Sequence, residues 1–125
     1  MDPKDTPSNV EACEYADALL DASSALRREL VLYEREVRRM RTRVLRGRLN
    51  PPSQLLPDLI AVRLRVNERF DELERCRRRW RVAFFQLQAD TGMSLGAIAR
   101  EWGLSRQRVS RLMSDHMETT KLARV

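Results

Sequence analysis

At 125 residues the chain is about one domain long, and its 34% charged against 6% aromatic residues leave few apolar side chains for a core. That composition excludes a many-layered fold and suits helices, which need only a stripe of apolar residues. The formal charge of +6 points to an anionic partner, either nucleic acid or an acidic protein or membrane surface, without choosing among them.

The start, "MDPKDTPSNVEACE", is acidic rather than basic and apolar, so no signal sequence is expected. No apolar run nears the roughly 18–20 residues that span a bilayer, and a cytoplasmic protein with no membrane partner is expected. Cys13, Cys76 and the single histidine, His116, are too few for a closed zinc site of about four ligands, so no metal or other cofactor is expected. Two distant thiols in a cytosolic chain read as small core residues rather than a disulfide.

Residues 1–8 read as a flexible N-terminus. Ser8 and Glu11 have capping-box spacing, which starts a helix near residue 9. From there Ala12, Ala16, Leu19, Ser23, Leu26, Leu30, Tyr33, Val37, Met40 and Val44 recur at alternating steps of four and three, an unbroken heptad seam. Gly47 offers a left-handed terminator, and Asn50, Pro51 and Pro52 forbid continuation. A second helix starts between Ser53 and Asp58, with a seam of Leu59, Val62, Val66, Arg69, Leu73, Cys76, Trp80, Ala83 and Leu87, its apolar face widened by Phe70 and Phe84. Residues 9–91 therefore read as a long antiparallel helical hairpin, coiled-coil-like, with positions near 20 beside positions near 80.

Charge is uneven along it. Residues 1–26 carry one lysine against six acids, and "RCRRRWR" at 75–81 would face them, so that run serves either mutual attraction or nucleic acid. Residues 27–48 hold nine arginines against three glutamates, leaving a basic tip that is either a solvated charged face or a phosphate contact. Leu20, Phe70, Trp80 and Phe84 lie off or broaden the seam and need a third layer. Either the C-terminal segment or a second copy supplies it, and a homodimer is the favoured expectation.

Residues 92–125 form a second unit. Gly92 can end the second helix and Ser94 can cap a short one, Leu95 to about Trp102; Gly103 then stops it, and Ser105 caps the next. This is a helix-turn-helix pattern: Ile98, Trp102, Leu104, Val109 and Leu112 are apolar where the helices must face inward, Ala99 is small at the crossing, and Gly103 permits positive φ. Trp102 and Met113 read as core rather than base-stacking groups. With Val109 and Leu112 turned inward, Arg106, Gln107, Ser110, Arg111 and Ser114 take the exposed side. Arginine can clamp the two acceptors of guanine and glutamine can pair with adenine, while the amides at the helix starts, with Ser94 and Ser105, can hold phosphates.

The stretch "SLGAIAREWGLSRQRVSRLMSDHMETTKL" resembles the promoter-reading region 4 helix-turn-helix of bacterial RNA polymerase sigma factors, with a Ser-Leu-x-x-Ile-Ala start and a Ser-Arg-x-Arg-Val recognition helix. The resemblance covers residues 94 to about 122. It implies that Arg106, Gln107, Ser110 and Arg111 face bases and phosphates of the major groove, with Arg108 on the flank. Residues 1–90 match neither the core-polymerase-binding nor the promoter-melting regions, and no β-wing is expected after the second helix. A small dimeric regulator binding double-stranded DNA is therefore expected rather than an autonomous sigma factor. The alternative is a protein-interaction module whose hairpin binds RNA polymerase or another regulator. An enzyme is least expected, for want of an acid–base–nucleophile set or a glycine-rich phosphate loop.

Overall fold

The computed structural model describes residues 7–48 and 57–123, with side chains over 9–48 and 57–116. All four elements are α-helices, and no strand occurs among the described residues: α1 is Pro7–Leu45, α2 Pro57–Asp90, α3 Leu95–Trp102 and α4 Arg106–Ala123. No described helix is long and apolar enough to cross a membrane. The expected flexible segment 1–8 lies outside the described residues up to position 6, and the proline-rich connection 49–56 lies wholly outside them.

Helix α1 already runs at Pro7, so Ser8 sits in its first turn instead of capping it. Proline fits that position because its fixed φ suits the helix and its missing N–H would have had no partner there. At the other end Gly47 is left-handed, at φ 63°. The Arg48 amide donates to the Arg43 carbonyl at 3.0 Å and the Gly47 amide to Val44 at 3.1 Å, the paired reverse bonds of a Schellman stop.

Two compact units divide the chain, and the division does not fall at residue 92. One joins Met1–Leu19 to Cys76–Val125, and the other is Leu20–Arg75. In the second unit Leu26, Val62 and Val66 are buried together, with Leu30, Leu32, Tyr33 and Leu73 packed around them. Arg65 Nε donates to Glu29 Oε2 at 3.1 Å, and Arg39 Nη1 lies 3.5 Å from Asp58 Oδ2, so the two pairs run in opposite order along the helices. The seam of α1 is only partly inward. Ala22 and Glu36 are buried while Val37 and Val44 are 42% and 55% exposed. The Glu29–Arg65 and Arg39–Asp58 contacts draw α2 toward the Glu36 side of α1, leaving Val37 on the flank. Val44 lies past the level at which α2 begins, since Asp58 already sits beside Arg39.

The first unit has the deeper core: Val82, Phe85, Ile98, Ala99 and Val109, of which Phe85, Ile98 and Val109 have no exposed surface. Burying each such side chain is worth roughly 1.5–3 kcal/mol. Trp102 of α3 packs edge-on against Phe85 with ring centroids 5.1 Å apart, and also touches Phe84 and Trp80 at 5.9 and 6.0 Å. Of the two expected sources of a third layer, the C-terminal segment meets Trp80 and Phe84, while Leu20 and Phe70 stay exposed. Cys76 is buried as expected, but Cys13 is exposed on α1.

A polar clamp completes this core. Buried Gln88 of α2 accepts from Trp102 Nε1 at 2.9 Å and donates its own Nε2 to Glu101 Oε2 at 2.8 Å. Its backbone carbonyl takes the Met93 amide and the Thr91 hydroxyl, closing the α2–α3 turn. Gln88→Leu keeps the bulk but strands the Trp102 N–H, and should cost about 1–3 kcal/mol in urea unfolding followed by tryptophan fluorescence. Exposed Gln86→Leu serves as the control; equal stability of the two variants contradicts a structural role for the clamp.

Candidate nucleic-acid interface

The candidate surface is built from three local devices. Ser94 caps α3 from extended backbone, its Oγ accepting from the Ala97 amide at 3.1 Å. Gly103 ends that helix after two turns at φ 68°, ψ 30°. A Cβ there would meet nothing within 4 Å, so the position demands glycine for its left-handed backbone and not for space. The Leu104 amide donates back to the Ala99 carbonyl at 2.9 Å, and the Leu104 side chain drops onto the core, as such a stop requires of the residue after the glycine. Ser105 then caps α4, accepting from the Arg108 amide at 3.1 Å.

These devices fix the rotation of α4. Val109 is fully buried against Ile98 and Ala99, with Leu112 and Met113 packed beside it. Arg106, Gln107, Arg108, Ser110, Arg111 and Ser114 are all exposed, as are Ser94 and Ser105. Every residue expected to face a ligand therefore stands at the surface. Among the described residues none of the side chains of Arg106, Arg108 and Arg111 has a hydrogen bond or ion pair. Since Ser94 and Ser105 use an oxygen lone pair to cap, each keeps its hydroxyl proton to donate to an anion.

Arg100, on α3, was missed by the sequence reading and is equally exposed and unpaired among the described residues. Its Nη1 lies 3.8 Å from where a Cβ on Gly96 would stand, and Ser94 Oγ lies 4.0 Å from the same point. The guanidinium thus folds back toward the start of α3. Its spacing of four from Gly96 was the available signal, because residues so spaced share a helix face. No protein-family model matches the chain, and no match is found among curated proteins or solved structures.

Farther along α4, His116 meets Tyr15 of α1 edge to face, with ring centroids 5.8 Å apart. Burial lowers its pKa below the ordinary 6.5; Glu11 opposes that shift and Arg79 adds to it. A histidine held neutral by folding contributes stability above its unfolded pKa that is lost as pH falls through the folded value. The melting temperature should accordingly drop on acidification below about pH 6.5, and His116→Gln should flatten that part of the profile. An unchanged acid slope in the variant would assign the pH dependence to other groups.

Proposed function

We propose that the chain is a sequence-specific double-stranded DNA-binding protein, a dimeric transcriptional regulator in which α3 and α4 act as a helix-turn-helix. The helix beginning after Ser105 enters the major groove. One observation carries this reading: the first turns of α4 offer Arg106, Gln107, Ser110 and Arg111, exposed and with both arginines unpaired among the described residues, directly behind the fully buried Val109. A face that only kept the protein soluble would need neither the rigid cap at Ser105 nor the left-handed Gly103 that together fix its direction.

Arg106 and Arg111 have the forked donors that recognise guanine, and Gln107 the donor–acceptor pair that recognises adenine. Arg100, Arg108, Ser94 and Ser105 serve the phosphates, which fix register without reading sequence. The resemblance to sigma factor region 4 agrees with this division of labour. Helices α1 and α2 form an antiparallel hairpin in this reading, in keeping with the opposite order of their two ion pairs. Exposed Leu20, Val31 and Phe70 supply apolar surface for a second copy, which would set two reading helices on half-sites spaced by helical turns.

Selection from a random duplex pool should enrich one motif. Arg106→Ala and Gln107→Ala should each relax preference at single base positions, by about 1–3 kcal/mol per position. A pool that enriches no motif, or variants that bind it with unchanged preference, would remove α4 as the reader.

A further inference from the structure

The end of α1 carries a charge excess that the reading helix does not use. Between Glu36 and Asp58 the sequence holds six arginines and no acidic residue. The flanking carboxylates are already engaged: Glu34 with Arg38, and both Glu36 and Asp58 with Arg39. Arg41, Arg43, Arg46 and Arg48 are exposed and have no ion pair among the described residues. Four like charges so close repel one another, and nothing in the intervening sequence relieves that cost.

The backbone gathers three of them. A helix continuing past Leu45 would carry Arg48 onward, but the left-handed Gly47 turns the chain so that the Arg48 amide bonds back to the Arg43 carbonyl at 3.0 Å. The result is a cavity of about 250 Å³ lined by Thr42, Arg43, Arg46 and Arg48. The partial negative charge of a helix C-terminus would ordinarily oppose an anion here. That opposition is blunted because the carbonyls of Thr42, Arg43 and Val44 accept from the Arg46, Arg48 and Gly47 amides, and the Thr42 hydroxyl occupies the Arg38 carbonyl.

We infer that Arg43, Arg46 and Arg48, gathered around this cavity by the Gly47 turn, form a second, sequence-independent seat for a backbone phosphate of double-stranded DNA. The inference rests on the DNA-binding reading given above. Planar guanidiniums grip two phosphate oxygens at once, and no lysine occurs in the segment. An anionic membrane surface fits less well. Lipid-seated helices present aromatic and leucine-rich faces, whereas no aromatic residue lies between Tyr33 and Phe70 in the sequence, and among the described residues only Val44 and Leu45 are exposed and apolar beside the cavity.

The test is a salt titration of full-length protein binding to a selected and to a random duplex, with the triple variant Arg43→Gln, Arg46→Gln, Arg48→Gln beside the wild type. The variant should weaken both duplexes by one common factor, on the order of tenfold at low salt, and should reduce the slope of log affinity against log salt by roughly 1, as the loss of one phosphate contact requires. Its preference for the selected duplex should be unchanged. Unaltered slopes with preference intact would overturn this seat and leave the reading helix standing, whereas loss of preference alone would show that the substitutions act on reading. A wild type that binds neither duplex would overturn both proposals. Vesicles of equal parts phosphatidylcholine and phosphatidylglycerol form the second arm: if the variant loses vesicle binding while its duplex slopes hold, the cavity belongs to headgroups and the inference fails. The substituted side chains are exposed, and an unchanged circular dichroism melting curve will separate lost binding from lost fold.

Discussion

Burying an indole ring obliges its N–H to find an acceptor, and in this chain the acceptor is Gln88. Trp102 is pressed edge-on against fully buried Phe85, and Gln88 takes its N–H while holding Glu101 on the adjacent position of α3. An isolated helix of eight residues is far too short to persist in water, so α3 exists because this contact and the Ile98–Val109 packing hold it. The orientation of α4 follows in turn, since Val109 can bury itself on Ile98 and Ala99 in only one rotation. The exposed face of Arg106, Gln107, Ser110 and Arg111 is therefore a consequence of events on α2, some twenty positions earlier in the chain.

The unit Leu20–Arg75 is held together differently. Its buried cluster is small and its cross-helix ion pairs are solvent-exposed on the arginine side, where such pairs contribute at most about 1 kcal/mol. Much of its apolar surface stays uncovered in the single chain, including Leu20, Val31, Leu64 and Phe70. A unit so built gains by association, which is the physical ground for the proposed dimer. The two proposed anion surfaces also differ in kind. The one on α4 mixes arginine with glutamine and serine and suits base edges, while the one at the end of α1 is almost purely arginine and suits phosphate.

The sequence made the local chemistry legible. Ser94, Gly103 and Ser105 each act through their own backbone or through an amide three residues away, so the bounds of α3 and the exposed face of α4 could be read without a partner. What could not be read was contact between elements. Periodicity along α2 singled out Trp80, Ala83 and Leu87, and it passed over Phe85 and Gln88 because α3 and α4 cover a second face that the repeat of one helix does not reveal. Polar Gln88 looked like a surface residue until Trp102 arrived opposite it. On α1 the heptad included Val37 and Val44, although the inward line runs through Glu36, whose carboxylate is held by Arg39 Nη1 at 2.9 Å. The Ser8 cap failed for the opposite reason, since Pro7 is itself compatible with the helix and let it begin earlier.

Amide hydrogen exchange of the full chain, free and saturated with a selected duplex, tests the central claim most directly. The first amides of α4 have no partner within the helix apart from the one held by Ser105, so those left without one should exchange quickly in the free protein. Duplex binding should slow exchange across residues 105–111 and at the start of α3 near Ser94. Protection confined to 20–75, with 94–111 exchanging as in the free chain, would contradict a reading role for α4.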